Sequence, residues 1–82
     1  MTRAEMEQKL VEIVRREKNL PIESLAPEAQ LADAGIDSLD ALTLLFAIEE
    51  EFKISIPDDR ARAMKTFGDI ADTVAAQLGI AR

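Results

Sequence analysis

The stretch Gly35-Ile36-Asp37-Ser38-Leu39-Asp40-Ala41-Leu42-Thr43-Leu44-Leu45-Phe46-Ala47-Ile48-Glu49-Glu50-Glu51-Phe52 decides the fold. Its apolar side chains recur at helical spacing. Ala41, Leu42, Leu45, Ile48 and Phe52 predict one buried stripe on a helix running from about Ser38 to Phe52. Asp37 and Asp40 fall in its first turn, where carboxylates complement the positive end of the helix dipole and cap free backbone N–H groups. The single hydroxyl of Ser38 therefore stands at the very start of this helix.

Upstream, Met6, Leu10, Ile13 and Val14 form one apolar stripe and predict a first helix over roughly residues 3 to 17. Pro21 and Pro27 break the pattern between Asn19 and Asp37, while Leu20, Ile22, Leu25 and Leu31 supply scattered apolar anchors. That segment reads as a long loop pinned onto the core, a length uncommon unless the loop is functional or packs its own side chains. Downstream, Lys53 to Pro57 reads as a short extended connection with Ile54 and Ile56 alternating toward the core. Residues 59 to 64 predict a brief third helix. The last helix starts at Thr66 or Phe67, aligns Phe67, Ile70, Ala71, Val74 and Leu78 on one face, and stops at Gly79. Every long periodic segment is helical, so the expected fold is all-α: a small antiparallel four-helix bundle with a long first loop and a short third helix, forming one domain over residues 1 to 82.

Composition narrows the function. The 82 residues contain no cysteine and no histidine, which removes thiolate attack, a Ser-His pair and the usual zinc ligand sets. Covalent chemistry then has to come from a partner enzyme or an attached group, and the chain is not expected to be an enzyme. At 48% hydrophobic and 32% charged it is globular in composition, and its apolar runs are too short for membrane insertion. Met1 to Glu5 leads directly into the first amphipathic pattern without an apolar leader, which makes the cytoplasm the expected compartment.

The net charge of −6 is unevenly placed: residues 1 to 18 carry +1, residues 19 to 59 carry −9 and residues 60 to 82 carry +2. An acidic middle repels a polyanion, so nucleic acid is not an expected partner; a protein with a basic patch is. Asp33, Asp37 and Asp40 lack the alternating ligands, the glycine and the closing glutamate of a calcium loop, and no metal site is expected. Glycine-rich phosphate loops are likewise missing from the sequence.

Asp37-Ser38-Leu39-Asp40, followed by Leu44, Leu45, the run Ile48-Glu49-Glu50-Glu51-Phe52 and Ile54-Ser55-Ile56-Pro57, resembles an acyl carrier protein over most of the chain. The resemblance implies a carrier whose serine, here Ser38, is joined through a phosphodiester to 4′-phosphopantetheine, the arm's terminal sulfur holding cargo as a thioester. It implies that Asp37 helps a phosphopantetheinyl transferase recognise the site or position its magnesium, and that Gly35 lets the backbone turn closely before the helix. A phosphodiester at Ser38 would sit beside the unsatisfied N–H groups of a helix N-terminus, a place suited to an anion.

The same residues carry plainer readings. Ser38 with Asp37 also reads as a helix cap, Glu49, Glu50 and Glu51 as a solvated helix face, and Leu45, Ile48 and Phe52 as core. The family pattern selects modification for Ser38 and, with the −9 segment, docking for the glutamates; Leu39 and Phe46 lie off the main stripe as a recognition patch, so the docking candidates are Leu39, Asp40, Thr43, Phe46, Glu49 and Glu50. At two places the chain departs from the family's usual pattern. Thr43 replaces an acid one turn into the helix, and Arg60, Arg62 and Lys65 follow Asp58-Asp59 where acids commonly continue. Both departures favour a specialised carrier over a housekeeping one.

The expected function is delivery of acyl-type intermediates to loading, synthase or transferase enzymes of fatty acid, polyketide or related biosynthesis by a monomeric carrier. Aminoacyl, D-alanyl or peptidyl cargo is the alternative within the superfamily. An unmodified acidic helical adaptor for a basic protein is the alternative of another class.

Overall fold

Each helix begins where a side chain or a fixed backbone takes over its first turn. In the computed structural model, which describes residues 1–19 and 26–80, Thr2 Oγ1 accepts from the Glu5 N–H (3.2 Å) and the Glu5 carboxylate accepts from the Thr2 N–H (2.9 Å). This box opens α1 (Arg3–Lys18). Asp37 caps α2 (Ser38–Phe52), its Oδ1 accepting from the Asp40 N–H at 2.8 Å. Pro57, with φ −60°, precedes α3 (Asp58–Ala63), and a second capping box, Thr66 with Asp69, opens α4 (Phe67–Leu78). The helix ends are equally defined: Asn19, Lys53 and Gly79 all turn left-handed, at φ 54°, 56° and 73°.

The fold is thus the four-helix bundle that the sequence predicts, with the short third helix one residue earlier than expected. α1 packs against both α2 and α4. Met6, Leu10, Ile13 and Val14 of α1 meet Leu44 and Ile48 of α2 and Ile70 and Val74 of α4 in one core. Arg3 ties α1 to α4 at the surface, bonding Glu7 of its own helix (2.7 Å) and Asp72 of α4 (2.9 Å). In the connection before α3, Ile56 is buried and Ile54 packs partly buried against the core.

One element of the expected core is corrected. Leu42 is 47% exposed, whereas Leu44 is fully buried. At about 100° of rotation per residue, Leu44, Leu45, Ile48 and Phe52 lie within one arc, and Leu42 falls roughly a quarter-turn from its centre. The three-residue spacing from Leu45 suggests the core face, but Leu42 stands beyond the arc and is about half exposed.

The first loop is pinned, as its apolar anchors predict. Gln30 and Thr66 form an isolated antiparallel bridge, with the Leu31 N–H on the Lys65 carbonyl (2.9 Å) and the Phe67 N–H on the Ala29 carbonyl (3.1 Å). Gly68 extends the ladder by donating to the Pro27 carbonyl (3.0 Å), and a Cβ there would lie 2.8 Å from that oxygen. Only glycine fits this approach. Leu31 is buried and a 3₁₀ turn, Ala32–Ala34, follows it. The other anchors, Leu20, Ile22 and Leu25, and the break at Pro21 lie outside the described residues.

Candidate functional site

The approach to α2 is built residue by residue. After the 3₁₀ turn Gly35 takes φ 80°, its N–H donating to the Ala32 carbonyl (3.0 Å), and this left-handed step turns the chain back so that the buried Ile36 can donate to Leu31 (2.9 Å). Asp37 then occupies the cap position in extended conformation.

Ser38 is the first helical residue and not the cap. The capping oxygen belongs to Asp37, and the Ala41 N–H is taken by the Asp37 carbonyl (2.8 Å). Among the described residues the Ser38 hydroxyl makes no hydrogen bond, nor do the N–H groups of Ser38 and Leu39. An exposed hydroxyl therefore stands beside two unspent donors at the positive end of a 15-residue helix, an arrangement that favours an anion attached there.

Ser38 opens onto a cleft of about 670 Å³ between α2, the end of the first loop and α3. Leu31, Ile36, Ala41, Leu45, Ala61 and Met64 give it a largely apolar lining. The free Ser38 hydroxyl at the helix start suits attachment of a phosphopantetheine arm, and the apolar lining of the cleft suits an apolar chain carried on it.

The solvent face of α2 presents Leu39 (72% exposed) and Phe46 (64% exposed), with Thr43 and Glu50 on the same side, and Leu42 stands where this face meets the cleft that it also lines. These large apolar side chains leave an exposed apolar stripe along the helix. Thr43 spends its hydroxyl locally, donating to the Leu39 carbonyl (3.2 Å). Thr43, Phe46 and Glu50 also line a second, shallower groove with Arg16 and Glu17 of α1.

Two of the six docking candidates have work inside the fold. Asp40 forms an ion pair with Lys18 at the end of α1, and that contact is the main reason its carboxyl lies below the usual carboxylate range. Glu49 is half-buried, and its Oε2 accepts from the Ile56 N–H at 2.7 Å. The acidic run is therefore chemically divided, with Glu49 turned to the loop before α3 and Glu50 and Glu51 exposed.

Leu42 is the surface residue that periodicity misassigned, and Arg16 and Glu17 are the groove residues it passed over. A signal for Leu42 exists in the sequence: positions 39, 42, 43, 46 and 50 form a second stripe of their own, opposite the core. The groove arises only when α1 lies against α2, and nothing local announces it.

Comparison with known proteins agrees with this geometry. Residues 8–74 match the family described as a phosphopantetheine attachment site. The chain is 38% identical over 76 residues to the acyl carrier protein of Porphyromonas gingivalis, covering 92% of this chain and 97% of that one. It is 40% identical over 73 residues to the acyl carrier protein of Syntrophobacter fumaroxidans, covering 88% and 90%. A crystal structure of an acyl carrier protein from Thermotoga maritima superimposes with a TM-score of 0.85 at 28% identity, over 96% of this chain and 93% of that chain. With a serine free at the helix start, a cleft shaped for a tethered chain and matches along nearly its whole length, the chain belongs to the acyl carrier protein family.

Proposed function

We propose that Ser38 bears the 4′-phosphopantetheine of this carrier and that acyl groups travel as thioesters on that arm. The supporting observation is the Ser38 hydroxyl itself: exposed, relieved of capping by Asp37, and open to the apolar cleft. When bound, the arm supplies the thiol that this chain lacks. The protein's own residues hold the attachment point. Asp37 fixes the helix start, Gly35 makes the preceding turn, and the unspent N–H groups of Ser38 and Leu39 would be available to the linkage.

Partner enzymes, the phosphopantetheinyl transferase first among them, would dock on the exposed face of α2. Leu39, Thr43, Phe46 and Glu50 carry this role in our reading, with Leu42 joining them. Asp40 and Glu49 contribute mainly by holding α2 to α1 and to the loop before α3. We assign fatty acid, polyketide or related acyl intermediates as cargo. A monomer working in the cytoplasm completes the proposal, to be checked by sedimentation and cell fractionation. Among the described residues no helix is long and apolar enough to cross a membrane.

Intact mass decides the attachment site. Wild type and Ser38→Ala are incubated with coenzyme A, magnesium and a broad-specificity phosphopantetheinyl transferase. A gain of one phosphopantetheinyl group in wild type alone supports Ser38; a gain in both moves the attachment elsewhere, and no gain in either moves the function to an adaptor.

A further inference from the structure

The cleft beside Ser38 has two unlike sides. Its floor is apolar, but on the α3 side it is bordered by Arg62 and Lys65. Neither cation is in a salt bridge among the described residues. This is unexpected for Arg62, because Asp58 lies one turn before it on α3 and lines the same cleft, the spacing at which helical ion pairs usually form. Lys65 feels the charge of Asp69, but that carboxylate is already taken by the N–H groups of Lys65 (2.8 Å) and Thr66 (3.1 Å). The guanidinium of Arg62 is thus unspent, and the Lys65 ammonium makes no close contact, at the edge of the cleft into which Ser38 opens.

We propose that Arg62 and Lys65 form an anion-receiving rim for a group tethered to Ser38. The anion is either the phosphodiester at the tether itself or a carboxylate on the cargo, the apolar floor in the second case taking part of the chain between tether and rim; both offer the oxygen acceptors that a guanidinium binds in a fork. The inference rests on Ser38 being the attachment point. It gives Arg62 and Lys65 a purpose: they bind the protein's own tethered anion at a place where they would weaken attraction to a basic partner.

Amide chemical shifts along α3 test this in isotope-labelled protein, in four states verified by intact mass: unmodified, phosphopantetheinylated, acetyl-loaded and succinyl-loaded. Wild type is compared with Arg62→Gln/Lys65→Gln, both positions being exposed and the unmodified spectrum serving as the check on folding. Shifts at Ala61 to Lys65 that appear on phosphopantetheinylation and vanish in the double variant identify the phosphodiester. Shifts that appear with succinyl but not acetyl, and vanish in the variant, identify a cargo carboxylate. Either set should fade in about 1 M salt, where screening acts over roughly 3 Å. Equal shifts in wild type and variant, or none in any loaded state, overturn the rim. A chain that gains no mass at Ser38 overturns the attachment reading and this inference with it.

Discussion

The Oε2 of Glu49 accepts a hydrogen bond from the backbone N–H of Ile56 at 2.7 Å, seven residues further along the chain. A side chain in the last turns of α2 thereby sets the path of the connection that delivers α3 to the edge of the Ser38 cleft. A charged acceptor on a partly buried N–H is a stabilising contact. We expect Glu49→Ala to lower stability by about 1–2 kcal/mol in urea unfolding, with Glu50→Ala within about 0.5 kcal/mol of wild type. Equal effects at the two positions would show that the contact contributes nothing.

Docking should separate from folding at Phe46 and Glu50. With 64% of Phe46 in solvent, Phe46→Ala removes little core but much of the proposed contact. Modification by a phosphopantetheinyl transferase should lose about tenfold in kcat/KM, with an unchanged melting temperature. Glu50→Lys should instead act on the association rate and do so mainly at low salt. A rate independent of salt in both proteins would leave Glu50 a solvated side chain only.

Leu44 and Leu42 are near neighbours in sequence with opposite surroundings. Leu44→Ala empties a fully buried site and should cost about 2–5 kcal/mol, enough to unfold a domain this small. Leu42→Ala should cost under about 1 kcal/mol and show its effect in partner binding. Reversal of that order would restore the stripe that simple spacing suggests.

Stability should fall in acid for a reason located at the start of α4. The N–H groups of Lys65 and Thr66 are the main causes that hold the Asp69 carboxyl below its ordinary range. A depressed carboxylate stabilises the fold above its unfolded pKa, and that contribution is lost as pH falls through the folded value. Wild type should therefore exceed Asp69→Asn in stability near neutrality, by about 1 kcal/mol as for other lost caps. The gap should narrow as pH drops below about 4. A gap constant down to pH ~2 would remove Asp69 from the acid response.

Helix positions were legible because caps and periodicity act over a few residues: Asp37 and Gly79 mark ends that the structure keeps. The serine at the start of α2 was legible for the same reason. What escaped depends on contacts between distant parts of the chain. Nothing near Gly68 in sequence announces the Pro27 carbonyl against it, and nothing near Glu49 announces that its carboxylate serves Ile56. Leu42 was misplaced for a different reason, since a residue a quarter-turn from the stripe's centre can be drawn onto either face by spacing alone. Only the packing of α1 against α2 decides it.

α3 spans six residues and contributes no buried side chain, resting instead on the connection that Glu49 holds and on the half-buried Ala61 and Met64. With one firm side and one lightly seated side, the cleft is expected to open at α3 for less than the cost of unfolding the bundle. Amides of α3 should exchange with solvent sooner than those at the centres of α1 and α2, and cargo length should be recorded as a graded slowing of that exchange.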